Sequence, residues 1–448
     1  MLEPAAAEAR CAQLIDLARQ AGADAADAVA IGNVSQSIAV RLGGLEDIER
    51  SESEAIGLRV FAGQRSASIH ASDFSPAAMR EMAERAVAMA RAAPEDIYAG
   101  LAPEELLARG PLPELDLVDE SEPSPQDLRA AAQAAEDAAR AVSGVTNSEG
   151  GGAGYGCSTV ALATSHGFSG TYRATSHSLS ATVVAGTGAG KQRDYAWRQT
   201  RHAEDLLAPE AIGRLAGERA VARLDPGKLR SGPLPVVFDP RVAGSLLGHL
   251  IGAMSGPAIA RRASFLLDRL EEELFDPAVR IVDQPHRRRG LRSRPVDGEG
   301  LPTSERALVE HGRLTGWLAN VAAARQLGIV PTGHASRGVS GAPGVSTSNV
   351  HLEPGTLTRE ELIGGIADGV LVTELIGQGV NGVTGDYSRG ASGYRIVKGE
   401  IAGPVAEFTI AGNLLDMFRR LTPASDLELH RAINAPTLLV EGMTVAGE

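Results

Sequence analysis

The sequence predicts an α+β protein: a mixed N-terminal region of helices and strands, then a glycine-rich, largely antiparallel β domain with a few helices. Three observations carry this. A few segments with helix-start signals repeat their apolar residues at helical spacing. Many others alternate apolar and polar residues two apart, as half-buried strands do. Glycine is also uneven, with 22 in residues 1–228, 30 in residues 229–448 and 12 in residues 364–412 alone. That density suits short strands joined by tight turns.

Residues 4–21 carry Cys11, Leu14, Ile15 and Ala18 at helical spacing, with Gly22 as a stop. Val34, Gln36, Ile38 and Val40 sit two apart, as do Ile56, Leu58 and Val60, so both stretches read as strands. Ser75-Pro76 then opens a helix whose stripe is Met79, Met82, Ala86, Met89 and Ala90. The stripe reads as core, although methionines also suit peptide binding. Pro111, Pro113, Pro123 and Pro125 mark an extended linker. Ser124-Pro125 repeats the cap signal ahead of an alanine-rich helix to about Val142. Residues 145–200 alternate again (Val160, Leu162, Thr164; Leu179, Ala181, Val183), with GGGAGYG and GTGAG expected as turns. A helix is expected near 209–224. The Pro- and Gly-rich stretch LDPGKLRSGPLP is the clearest boundary. Beyond it, Pro235–Phe238 reads as a buried strand, and Asp239-Pro240 caps the helix RVAGSLLGHLIGAMSG. Strand-like pieces dominate the remainder. The expected division is 1–110, 111–228 and 229–448.

Composition narrows the function. A net charge of −13 and 4% aromatic residues disfavour direct nucleic-acid binding. No apolar run approaches the length of a spanning helix, so no membrane role is expected. Glu3, Glu8, Arg10 and Asp16 interrupt the place where a signal peptide needs an uncharged core. Only Cys11 and Cys157 are present, which suits a reducing compartment. The expectation is a cytoplasmic protein.

Most catalytic signatures are missing. Among ten histidines the nearest pair, His166 and His177, is eleven residues apart, so no helical metal-ligand pair can form. His202-Ala203-Glu204 has the H-x-E of zinc deaminases without the cysteine half. No GxSxG elbow occurs. Gly377 to Gly382 matches GxGxxG, but a loop is expected after it where a dinucleotide site needs a helix. Asp283, Asp297 and Glu299 could form a catalytic acid pair, but salt bridges to the adjacent arginines are the simpler expectation. The run His286 to Arg289, continuing to Arg292 and Arg294, reads as a solvated loop facing acidic neighbours, with a phosphate or acidic-peptide contact as the alternative.

Several long segments then become specific. VNGVTGDYSRGASGYRIVKGEIAGPVAEFTIAGNLLDMF (380–418) resembles the C-terminal signature of the TldD/PmbA family. DQPHRRRGLRSRPVDGEG, GRLTGWLANVAAARQLG (312–328), Ala263 to Leu266 and IGLRVFAGQRSASIHASD follow the same family in the right order. That family resembles a pair of related subunits. One, TldD, carries an HExxxH metal motif on the helix after the first strand of the C-terminal domain; the other, PmbA or TldE, lacks it. In this chain the motif's first His falls at Gly248, its Glu at His249 and its second His at Ala253. The ending NAPTLLVEGMTVAGE also offers no cysteine ligand. The resemblance therefore implies the subunit without metal: no cofactor in this chain, zinc in a TldD-like partner, and a heterodimer, with a homodimer possible when alone. It implies unfolded or modified peptides as substrate, as in microcin maturation or antitoxin turnover.

His249 reads as a vestigial ligand, a chamber-facing polar group or a satisfied interface residue. Asp386, Tyr387 and Ser388, in an expected TGDYS loop, are candidates for substrate or chamber contacts. They are also the candidates for a non-metal site if the chain is instead an autonomous homodimeric peptidase. A binding module for a larger partner such as DNA gyrase is the remaining alternative.

Overall fold

The computed structural model describes residues 2–448. Helix α1 (Pro4–Gln20) leads into strands β1 (Ala25–Arg41), β2 (Gly44–Ala62) and β3 (Arg65–Ala71), followed by α2 (Pro76–Ala92). After an extended segment come α3 (Pro125–Arg140), β4 (Val145–Thr164), β5 (Ser169–Ala185), β6 (Gln192–Thr200) and α4 (Pro209–Ala222). The six strands form one antiparallel sheet in the order β3-β2-β1-β4-β5-β6. β1 pairs with both β2 and β4, so strands from residues 25–71 and 145–200 share one sheet.

Period-two alternation assigns the two faces of that sheet. Ala26, Ala28, Ala30, Ile56, Leu58 and Val60 pack under α1 and α2. Ile38, Val40, Leu179, Ala181 and Val183 pack under α3 and α4. The opposite set, Val29 and Leu162, meets Val296, Leu301 and Val321 of the C-terminal half. One face is thus covered by helices and the other by the second domain.

GGGAGYG is not a turn. It lies inside β4, and the glycines are needed for close approach: a Cβ on Gly151 would run into the Ala132 carbonyl of α3. GTGAG does make the β5–β6 turn, with Gly186 and Gly188 at positive φ.

The C-terminal half begins with β7 (Gly232–Phe238), α5 (Pro240–Ala253) and α6 (Gly256–Ala260). Short strands follow: β8 (Ile281–Asp283), β9 (Arg306–Glu310) and β10 (Arg313–Leu314), then α7 (Val321–Leu327), β11 (Ala335–Ser336), β12 (Gly344–Val345) and β13 (Val350–Leu352). The chain ends with α8 (Arg359–Gly364), β14 (Asp368–Ile376), β15 (Asp386–Val397), β16 (Glu400–Asn413), α9 (Leu414–Arg419), β17 (Leu421–Pro423), β18 (Ile433–Asn434) and β19 (Leu438–Ala446). The larger sheet runs β16-β15-β14-β7-β19-β17, and a further β16–β19 pairing closes five of its strands into a ring. Closure removes the exposed edges that an open sheet would carry. Only β14–β7 and β13–β18 pair in parallel, so the domain is largely antiparallel as expected.

The stretch expected as a loop after Gly382 becomes strand at Asp386, because Tyr387, Arg389 and Ala391 alternate into the core. The glycine at 393 permits the pairing: a side chain there would meet the backbone of Leu371 and Val372 on β14.

Candidate functional site

Helix α5 is set by its cap. Asp239 Oδ1 accepts the Arg241 N–H at 3.0 Å, Pro240 occupies the first turn, and Arg359 pairs with Asp239 at 2.9 Å. The stripe Ala243, Leu246, Leu247, Leu250 and Ala253 is buried against the core. The other side is open: a Cβ on Gly248 or Gly252 would find no atom within 4 Å. Gly248→Ala should therefore stabilise the protein, by up to about 1 kcal/mol, since only the helical cost of glycine is removed. Thermal unfolding would check this, and a lowered melting temperature would mean that the position is more crowded than it looks.

The three motif positions thus differ in setting. Gly248 borders open space, Ala253 lies in the core, and His249 is half-buried between them. The His249 ring stands edge-on to Tyr387, with centroids 6.0 Å apart. Its Nε2 is buried without a hydrogen-bond partner, and so is the Tyr387 hydroxyl. His249 is therefore not a satisfied residue. Burial, and then the nearby Arg389 charge, hold its pKa below the ordinary value, so the ring is neutral at pH 7.

Asp386, Tyr387 and Ser388 are not brought together. Strand alternation turns Tyr387 inward toward α5, while Asp386 and Ser388 are exposed on the opposite side. Asp386 accepts from Thr384 Oγ1 at 2.6 Å and Asn413 Nδ2 at 3.2 Å, and these bonds lower its pKa.

The residues that the sequence did not single out are arginines. Arg389, next on the inward face of β15 after Tyr387, lines a cavity of about 380 Å³ with Arg241, Ser245, Glu374 and Arg431. Arg241 is clamped by Asp194 of β6, at 2.6 and 3.2 Å. The inward alternation of Tyr387 and Arg389 was available as a signal; their convergence with Arg431 was not.

His430 sits beside this region. Burial, then Arg198, Arg431 and Arg219, push its pKa from 6.5 down to about 4. Glu428 at 3.3 Å pulls the other way, but it is largely exposed and loses to burial and three cations. As pH falls, the unfolded chain binds this proton first, near 6.5. Stability is therefore full above pH 6.5 and is lost between 6.5 and 4, by up to about 3 kcal/mol from this group. Urea unfolding at pH 7 and pH 4.5 should show a smaller acid loss for His430→Gln; an equal loss would remove His430 from the account.

The carboxylates of residues 283–299 do not pair with the adjacent arginines. Asp283 meets His334 at 3.2 Å and Ser348. Asp297 accepts backbone N–H groups of Glu299, Leu301 and Ala335. Glu299 accepts the Val321 N–H at 2.7 Å, and burial raises its pKa to about 7. Asp297 and Glu299 lie close enough that the Asp297 charge adds to the rise at Glu299, yet both carboxylates are occupied by backbone N–H groups. The arginines reach further away. Arg289 binds Asp116, Glu204 and Asp205, and Arg288 binds Asp116, so this part of the run faces acidic neighbours as expected. Arg294 and Arg287 instead turn inward, Arg294 onto the Ala335 and Ser346 carbonyls and Arg287 onto Gln284 and His351.

A divalent cation does not fit α5. Gly248 and Ala253 offer no donor atom, which leaves His249 alone. Among the described residues no cluster of three or more His, Cys, Asp or Glu side chains could hold a metal. Cys11 and Cys157 are buried and free. No helix among the described residues is long and apolar enough to cross a membrane.

Comparison with known proteins covers almost the whole chain. Residues 231–447 match the PmbA/TldA metallopeptidase C-terminal domain, 119–224 the central domain and 26–90 domain 1. Metalloprotease PmbA of Escherichia coli O157:H7 is 37% identical over 95% of this chain and 93% of its own length. The PmbA homolog of Haemophilus influenzae is 34% identical over 97% and 94%. The crystal structure of a candidate modulator of DNA gyrase from Bacteroides thetaiotaomicron superposes with a TM-score of 0.92, at 26% identity and full coverage of both chains. TldE from Thermococcus kodakarensis shares the fold, with a TM-score of 0.87 at 21% identity over 98% of this chain and all of its own.

Proposed function

The chain belongs to the PmbA/TldD metallopeptidase family, and from that premise we propose that it is the non-catalytic subunit of a heterodimeric, zinc-dependent protease acting on unfolded or modified peptides in the cytosol. A TldD-like partner supplies the zinc and the general base. This chain completes the chamber and helps to hold the peptide. The observation that carries the reading is α5, where Gly248, His249 and Ala253 stand in place of two ligands and a base. The setting of the helix supports a chamber wall: its glycine side is open and lies beside a polar cavity. An autonomous peptidase built on Asp386, Tyr387 and Ser388 is disfavoured, because adjacent strand residues point to opposite faces.

The test is reconstitution. The chain alone should not cleave an unfolded peptide; mixed with a TldD-like protein from the same organism it should, and a chelator should abolish that activity. His249→Ala should leave the zinc content of the complex unchanged. Zinc-dependent cleavage by the lone chain at the rate of the complex would overturn the proposal.

A further inference from the structure

Arg389 is the least explained charge in the molecule. It projects from β15 and is 8% exposed. Its guanidinium makes one long hydrogen bond, from Nε to the Ile376 carbonyl at 3.4 Å. Among the described residues no carboxylate pairs with it. A buried guanidinium without an anion is costly, because desolvation is not offset by a counter-charge. Buried charges are ordinarily paired, so an unpaired one facing a cavity points to an anionic ligand as the missing partner.

The surroundings point the same way. Arg389 faces the cavity of about 380 Å³ beside α5, within the usual size range of ligand pockets. Arg431 lines the same cavity; its Nε is buried without a partner, and its guanidinium donates only to the Arg241 carbonyl while lying over the Trp197 ring, 5.4 Å from its centroid. The nearby acids are already engaged: Asp194 by Arg241 and Arg223, and Glu374 by Arg223. Among the described residues, Arg389 and Arg431 are thus the two cavity-lining guanidiniums left without an ion pair, in a chain of net −13. Thr373, looped out at the β14 bulge, adds a hydroxyl, while Val242, Leu375 and Ile433 make one wall apolar.

We propose that this cavity is a carboxylate-binding subsite for a peptide, in which Arg389 and Arg431 hold either a C-terminal carboxylate or an acidic side chain. The proposal rests on the peptide-holding role above and deepens it. The planar guanidinium fork of Arg389 matches a carboxylate's two oxygens, and the apolar wall suits the neighbouring residue of the peptide. Ser245, whose hydroxyl bonds back to the Val242 carbonyl at 2.6 Å, faces the cavity from α5 one turn before His249.

The experiment is fluorescence anisotropy with the purified full chain and three labelled, unstructured peptides. The first has neutral side chains and a free C-terminal carboxylate. The second is its C-terminal amide. The third is the amide with one internal glutamate. At least one carboxylate-bearing peptide should bind about tenfold more tightly than the neutral amide, as expected for a charge-assisted pair. Preference for the first identifies the chain end, and preference for the third an acidic side chain; either supports the proposal. Arg389→Gln should erase the preference and Arg389→Lys should keep part of it. Ser245→Asp, which plants a carboxylate in the cavity from α5, should erase it by occupying the site. This second variant, with thermal melts of each, covers the case in which Arg389→Gln does not fold. Equal affinity of all three peptides for the unaltered chain, or a preference that survives Ser245→Asp or a folded Arg389→Gln, would overturn the subsite. Reconstituted cleavage separates the two readings: zinc-dependent cleavage with no carboxylate preference sinks only the subsite, while absence of cleavage with intact discrimination in binding sinks only the protease role.

Discussion

Asp27→Ala should lower the stability of this protein by about 3–5 kcal/mol, the cost of leaving buried charge unpaired. Asp27 lies on β1 and is 2% exposed. Its carboxylate accepts Arg59 Nε from β2 at 2.7 Å, and Arg337 of the C-terminal half at 3.0 and 3.2 Å. Both arginine side chains are buried, and the next acid, Glu299, is 3.8 Å from Arg59. Removing Asp27 leaves Arg337 without a carboxylate and Arg59 with only the more distant Glu299, at the seam where the sheet meets the second domain. Asp27→Asn keeps hydrogen-bond acceptance without the charge and should lose less. Urea unfolding followed by circular dichroism measures both; a loss below about 1 kcal/mol for the alanine variant would show that water reaches the seam and screens it.

Asp194→Ala should be nearly as severe, again about 3–5 kcal/mol, and it should also disturb the helix that borders the candidate site. Asp194 on β6 is 2% exposed. It clamps Arg241 at the start of α5 and meets Arg223 at 3.5 Å. Burial favours its neutral form, but the hydrogen bonds and charge of Arg241 outweigh that and hold its pKa low. Its contribution is therefore present at neutral pH and is lost as pH falls through that lowered value. In the variant, amide hydrogen exchange within residues 240–253 should accelerate while β1 and β4 stay protected. Uniform acceleration throughout would mean that the pair holds the whole fold rather than positioning α5.

Much of the architecture is local and therefore readable. Ser75 and Ser124 do cap α2 and α3, each accepting the N–H three residues on, and Asp239 caps α5. Alternation at Val34 to Val40 and at Ile56 to Val60 does mark strands. Glycine misled at two places for one reason. A glycine that permits a turn and one that permits close packing have the same letter. Gly151 serves packing against α3, and Gly393 serves packing against β14.

The candidate site divides along the same line. Gly248, His249 and Ala253 follow from their order in the chain, because a helix places them at fixed angles. Where each one faces, and that Tyr387 meets His249 while Asp386 and Ser388 turn away, depends on how β15 docks on α5. Arg389 carries no signal of its own in the sequence, since an arginine is exceptional only when nothing neutralises it.

The sequence by itself determined most of the helices and strands, the shortage of metal donors on α5 and the family segments, all of which depend on residues near one another in the chain or on their order. Only the tertiary structure decided the pairing of charges. Asp27 and Arg337 are 310 positions apart, and Asp194 and Arg241 are 47 apart. Coulomb energies depend on separation in space and on exclusion of water, and neither is written in the spacing of letters.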